Sequence, residues 1–210
     1  MDFLCAPQTG TKGFKKCFKT LLLFKTSARQ FMIRLEYFGP DDFQQLIDWI
    51  SDERLLANWS GAMFRFPLTH ESLSWYISDT NQIPTSDAFV YKAIDDETGA
   101  TIGHISLGGI SQKNNSARIS RVLVGHTAQR GKGYCTEMIK AVLKIAFEDL
   151  KLHRVGLGVY DFNVSAMRCY QKAGFKTDGV LRDVLKWENE YWSLAEMSIL
   201  EEEWRALQKG

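Results

Sequence analysis

With 210 residues, 45% hydrophobic and 24% charged, the chain is long enough for one domain, with or without an appendage, and apolar enough to bury a core. Its 26 Lys and Arg nearly cancel 25 Asp and Glu, which removes any global electrostatic reason to expect nucleic acid or an anionic membrane as partner. Four cysteines without a CxxC or Cys/His ligand spacing argue against a disulfide framework and a zinc site, and read as free thiols in a reducing cytoplasm.

Charge is uneven along the chain. Residues 1–31 carry Lys12, Lys15, Lys16, Lys19, Lys25 and Arg29 against the single acid Asp2, which leaves 20 basic and 24 acidic residues in 32–210. This first stretch has neither helical nor strand periodicity. Its apolar run Leu21-Leu22-Leu23-Phe24 is too short to span a bilayer or to serve as a signal peptide. The expectation is a basic N-terminal extension, either upstream read-through or a flexible arm, with the native protein starting at Met32. A functional basic tail is the rival reading.

From Met32 to Phe38 apolar and polar residues alternate as in a strand. Gly39-Pro40-Asp41-Asp42 then suits a helix start, and Phe43, Leu46, Ile47 and Ile50 follow at helical spacing. A second helix is expected near Thr69-His70-Glu71-Ser72, where Thr69 and Ser72 are both capping residues. Strand-like runs follow at 88–94, 101–110 and 117–124, separated by polar turns, and read as an antiparallel meander. Met138, Ile139, Val142, Leu143 and Ala146 mark one face of a long helix. Val155 to Tyr160 reads as a strand and Val164 to Ala173 as a short helix. A hairpin, 180–187 and 191–200, and a helical tail close the chain. This order is α+β.

The stretch Arg121-Val-Leu-Val-Gly125-His-Thr-Ala-Gln-Arg130-Gly-Lys-Gly133-Tyr-Cys-Thr-Glu137 runs from a strand through a glycine-rich turn into a helix. Such a turn gathers unpaired backbone N–H groups at the positive end of a helix dipole, and Arg130 and Lys132 add charge, so a phosphate is its natural ligand. Gly131 and Gly133 remove side chains that would keep that phosphate away. The Walker pattern is absent, and Thr136 stands where a dinucleotide fingerprint needs its third glycine. A tight connection without a ligand is the plain alternative. In a second stretch, Asp161-Phe-Asn163-Val-Ser165-Ala166-Met-Arg-Cys-Tyr170-Gln-Lys172-Ala-Gly174-Phe175, Asn163 suits an N-cap and Gly174 a helix C-terminus. Taken alone, Tyr170 on so short a helix reads more often as a core residue than as a catalytic one.

Together the two stretches resemble the GNAT acetyltransferase superfamily, and in particular its bacterial ribosomal-protein-alanine and small-amine N-acetyltransferases. Arg130-Gly-Lys-Gly133-Tyr-Cys135 matches the family's pyrophosphate loop, with Cys135 where glycine or alanine is usual. Asn163, Ala166, Tyr170 and Gly174-Phe175 match its later signature. The resemblance covers about 32–200. It implies a single GNAT-like domain over 32–210, with a mixed, mostly antiparallel central sheet flanked by helices. It further implies acetyl-CoA as cosubstrate, no metal, and transfer of the acetyl group to a primary amine, a peptide N-terminus or a small molecule, by direct attack in a ternary complex. Val122, Leu123 and Val124 would hold the acetyl-pantetheine arm, and Arg130, Gly131, Lys132, Gly133, Tyr134 and Cys135 the pyrophosphate. Asn163 would bond the cofactor near the pantetheine, and Tyr170 would protonate the departing thiolate.

No carboxylate stands in 117–121 or 155–159 to act as general base, so an ordered water, held by Ser120 or backbone carbonyls, is expected instead. Asn58 to Gly61, Phe64, Phe66, Pro67 and Trp75 are candidates for the amine pocket or for plain packing. Glu188, Glu190 and Trp192 are candidates for its mouth. The partners expected are acetyl-CoA and an amine, with neither nucleic acid nor membrane, and a homodimer is left open. A non-catalytic acetyl-CoA sensor of the same fold is the alternative function.

Overall fold

A computed structural model describes residues 33–83 and 85–209. The expectations for residues 1–31, for Met32 and for the thiols of Cys5 and Cys17 fall outside them. The chain runs β1 (Ile33–Tyr37), a 3-10 turn at Pro40–Asp42, α1 (Phe43–Trp49), α2 (Glu53–Ser60), α3 (His70–Ile77), β2 (Phe89–Asp95), β3 (Thr101–Ser111) and β4 (Ser116–Val124). It continues with α4 (Tyr134–Lys144), β5 (Arg154–Tyr160), α5 (Val164–Lys172), β6 (Lys176–Trp187), β7 (Glu190–Leu200) and α6 (Glu201–Leu207).

Capping fixes the helix starts. Thr69 Oγ1 accepts the Ser72 N–H at 3.2 Å while Ser72 Oγ accepts the Thr69 N–H at 3.1 Å, a reciprocal cap on α3. Asp52 caps α2 by accepting the Leu55 N–H at 2.8 Å. The sequence reading had no helix over α2. The element is only about two turns long, eight residues with Asn58 and Ser60 among them, which gives too short a periodic signal.

The strands form one sheet in the order β1-β2-β3-β4-β5-β7-β6, antiparallel throughout except for the pair β4/β5. That pair is parallel because α4 carries the chain back across the sheet. Both faces are covered. Met138, Ile139, Val142 and Leu143 of α4 are fully buried against one face, together with Phe89, Tyr91 and Ala93 of β2. Val90 points the other way, into a second cluster built by Phe43, Leu46, Leu56, Trp59 and Leu73 of α1–α3. This is the mixed, mostly antiparallel sheet flanked by helices that the sequence led us to expect, in one domain.

One expectation is corrected. Cys135 and Cys169 are not free thiols but a disulfide, with Cα atoms 6.3 Å apart. Their separation of 34 residues hid the pairing. The β4–α4–β5–α5 path lays the first turn of α4 beside the second half of α5, so distant positions become neighbours at bonding distance.

Two predictions follow from this packing. A digest of protein alkylated without reductant should contain a disulfide-linked Cys135–Cys169 peptide pair by mass spectrometry; recovery of both as alkylated thiols would show that the pair is open. A Cβ added at Gly125 would overlap the indole of Trp49. Gly125→Ala is therefore expected to lower unfolding free energy by about 1–3 kcal/mol in a urea titration.

Candidate active site

β4 and β5 pair only through Ser116–Arg118 and Arg154–Gly156. Beyond Arg118 the two strands diverge, and a cavity of about 770 Å³ opens between them. Val122, Leu123 and Val124 line one side of it and Leu157 to Tyr160 the other. A diverging pair leaves backbone N–H and C=O groups on the facing edges without a strand partner.

A bulge shapes the β4 side. His104 pairs with Leu123 and Ser106 with Ser120, so the single residue Ile105 faces both Arg121 and Val122. Arg121 takes up the extra length at φ 52°. Its carbonyl accepts two hydrogen bonds, from Trp59 Nε1 at 2.9 Å and from His104 Nδ1 at 3.0 Å. A carbonyl can only accept, so the His104 proton sits on Nδ1. Burial pushes the His104 pKa down to about 4, which keeps the ring neutral. The bulge also changes the strand's phase. Ala117 and Ile119 pack under α4, whereas Leu123 packs under α1–α3. The sequence reading took 117–124 as a plain strand and assigned no role to Arg121 or His104.

At the far end of the cleft the chain makes a 3-10 turn, Thr127–Gln129, and enters α4 through Arg130 to Gly133. Gly131 and Gly133 sit at φ 77° and 103°, in the left-handed region where a side chain would be strained. Gly133 is the N-cap of α4 and offers no side-chain cap, so the first amides of the helix remain available to a ligand. Space beside Gly131 is open. The turn is thus shaped for an anion.

Its individual residues differ in what they present. Arg130 is exposed and its Nε donates to the Val124 carbonyl at 3.3 Å, whereas Lys132 is exposed and off the cavity wall. The Tyr134 ring is buried and its hydroxyl donates to Asp95 Oδ2 at 2.7 Å, so toward the cleft it offers backbone. Cys135 is held by Cys169.

Across the cleft, Asn163 caps α5, accepting the Ala166 N–H at 3.2 Å, and its Nδ2 reaches Asn58 Oδ1 at 3.5 Å. Tyr170 lines the same cavity with its ring buried, and desolvation raises its pKa, so the phenol is protonated at neutral pH. Among the residues lining this cavity none is Asp, Glu or His.

Of the amine-pocket candidates, Asn58, Trp59, Ser60 and Gly61 line the cleft, while Phe64 is core. Trp75 is exposed and borders a second cavity of about 410 Å³ on the α1–α3 side of β4, which shares Arg118, Ser120 and Arg121 with the main cleft. Glu190 is taken up by Arg54 at 2.9 Å and by Trp192 Nε1 at 2.8 Å. Neither it nor Glu188 or Trp192 lines the cleft.

Residues 33–176 match the model of the acetyltransferase (GNAT) domain. The chain is similar to the probable N-acetyltransferase YjcK of Bacillus subtilis, 35% identical over 107 residues, which is 48% of this chain and 55% of that protein. It therefore spans little more than half of YjcK. It is also similar to an aminoglycoside N(6')-acetyltransferase type 1 of Klebsiella pneumoniae, 26% identical over 163 residues, 71% of this chain and 76% of that one. Among solved structures, a spermidine N-acetyltransferase from Vibrio cholerae in complex with CoA and spermine superposes with a TM-score of 0.70 at 21% identity, covering 82% of this chain and 98% of that one. The diverging strands, the glycine turn at a helix start and the matched domain agree, and the chain belongs to the GNAT acetyltransferase family.

Proposed function

We propose that this protein transfers the acetyl group of acetyl-CoA to a primary amine, a peptide N-terminus or a small-molecule amine, by direct attack in a ternary complex. The observation that carries the reading is the placement of three features on one cavity: the Arg130–Gly133 turn, the unpaired edge of β4 and the protonated phenol of Tyr170. Acetyl-CoA supplies an activated thioester. The names of the aminoglycoside and spermidine enzymes, both amine acetylases, support an amine as acceptor.

In this reading the amides of Gly131, Gly133, Tyr134 and Cys135 receive the pyrophosphate, with the Arg130 side chain and Lys132 supplying positive charge nearby. Val122, Leu123 and Val124 extend backbone hydrogen bonds to the pantetheine arm, as an added strand would. Asn163, already fixed by its cap to α5, offers Nδ2 into the cleft. Tyr170 donates its proton to the sulfur as the thiolate leaves.

The attacking amine must arrive neutral. No carboxylate or imidazole lines the cleft, so the proton leaves through hydroxyls or water rather than to a charged base. Ser120 Oγ lies 2.9 Å from Ser106 Oγ, and that pair forms the polar path nearest to the bulge. Amines of low pKa gain most from such a site.

Two variants check the assignments. Tyr170→Phe should lower kcat about 10²-fold or more with little change in acetyl-CoA affinity, read by steady-state CoA release and calorimetry. Unchanged turnover at neutral pH would remove Tyr170 from the chemistry. Gly133→Asp puts a side chain and a negative charge into the anion turn. It should weaken acetyl-CoA binding by roughly 10²-fold, and unaltered affinity would place the pyrophosphate elsewhere.

A further inference from the structure

We infer that the acceptor carries a carboxylate close to its amine, and that the Arg121 guanidinium receives it; the inference rests on the acetyl-transfer reading above. The chemical class is a small amino carboxylate, such as an amino acid, rather than a polyamine.

The two arginines on the shared wall of the cavities differ in one respect. Arg118 is neutralised by Glu196, which accepts from both Nη1 and Nη2 at 2.7 Å. Arg121 has no carboxylate within ion-pair distance among the described residues. Its Nη1 donates to Ser120 Oγ at 3.0 Å and its Nη2 to Met63 Sδ, a weak acceptor. Its Nε–H is buried with no partner at all. The guanidinium sits over the Tyr76 ring, Cζ 4.8 Å from the centroid, a cation–π contact that helps hold the side chain in place.

The Tyr76 side chain closes the wall beside it, with its hydroxyl buried next to Ser106 and Arg121. A guanidinium on a cavity wall with no acid beside it is suited to an anionic ligand. One carboxylate accepts from its Nη groups, replacing the weak Met63 sulfur as acceptor.

Two further observations narrow the ligand. Asp79 and Asp87 line the second cavity at its exposed side, a field that disfavours a bare anion and suits a molecule with a positive end as well. Arg121 also stands immediately before Val122 on the bulge and lines both cavities, so a carboxylate bound to it sits where the second cavity joins the main cleft. That position fits an amine and a carboxylate on one short carbon skeleton. A polyamine would set ammonium groups against an uncompensated guanidinium, a like-charge contact.

The test uses the full-length protein and matched acceptors: amino acids, their carboxamides, their decarboxylated amines, spermidine, and peptides beginning with acidic or neutral residues. CoA release is expected to favour the free amino carboxylate over its carboxamide by at least roughly tenfold in kcat/KM, with Arg121→Gln removing that preference and Arg121→Lys retaining part of it. Equal or better turnover of spermidine, or a preference that survives Arg121→Gln, overturns the inference and leaves acetyl transfer standing. If the best acceptors are peptides with an acidic first residue, the carboxylate reading holds with the side chain as its source.

A readout without turnover separates the two readings. N-acetyl amino acids and their carboxamides are titrated into the CoA-loaded protein by calorimetry. Carboxylate-selective binding that Arg121→Gln abolishes upholds the anion site even if no amine is acetylated. Equal binding of acid and amide, or none of either, refutes it.

Discussion

Two hydrogen bonds to one carbonyl oxygen organise this molecule. Trp59 Nε1 comes from α2 and His104 Nδ1 from β3, and both end on the Arg121 carbonyl. They hold an extra residue in β4 at a left-handed backbone angle that a non-glycine residue adopts at a cost of about 1 kcal/mol or more. Without them the strand would relax to regular pairing, and Arg121 would turn with it. Burial favours the neutral imidazole, and the bond does not depend on that charge, since Nδ1–H donates from either form of the ring.

The rest of the cleft is built outward from that point. β4 leaves β5 after Arg118, whose guanidinium is held by Glu196, and the bulge lies in the stretch that has already parted and lines the cavity. The anion turn is anchored from below by two separate ties: Tyr134 to Asp95 at the β2–β3 end of the sheet, and Cys135 to Cys169 on the helix that carries Tyr170. The turn and the phenol are therefore parts of one braced frame. Charged groups are confined to the rims, while the cavity between the strands is lined by neutral residues apart from its arginines and Lys172.

Much of this was legible in the residues. Strand-like runs located all seven strands, the α4 face was visible in Met138 to Ala146, and Thr69 with Ser72 announced a cap that the structure contains. The glycine turn could be read because its function depends on local backbone, and so on neighbouring letters. What could not be read were the meetings of distant segments. Nothing near Cys135 points to Cys169, and nothing in Arg-Ile-Ser-Arg distinguishes Arg118, which finds Glu196, from Arg121, which finds no acid. The one available hint at the bulge was phase: Ala117 and Ile119 keep an odd-numbered apolar register that Val122 and Val124 break. α2 escaped because eight residues with Asn58 and Ser60 among them give too short a periodic signal.

The phase break has a consequence for how this strand can change over time. In a regular strand, inserting or losing a residue reverses the facing of everything beyond it, and the core rejects the change. Here one such reversal is already absorbed between Ile119 and Leu123. The two halves of β4 are accordingly two separate scales laid end to end, one counted from the β3–β4 turn and one from the glycine loop. Substitutions in the first half vary what the second cavity admits without re-registering the second. A change of residue on one half can thus be absorbed without reversing the facing of the other.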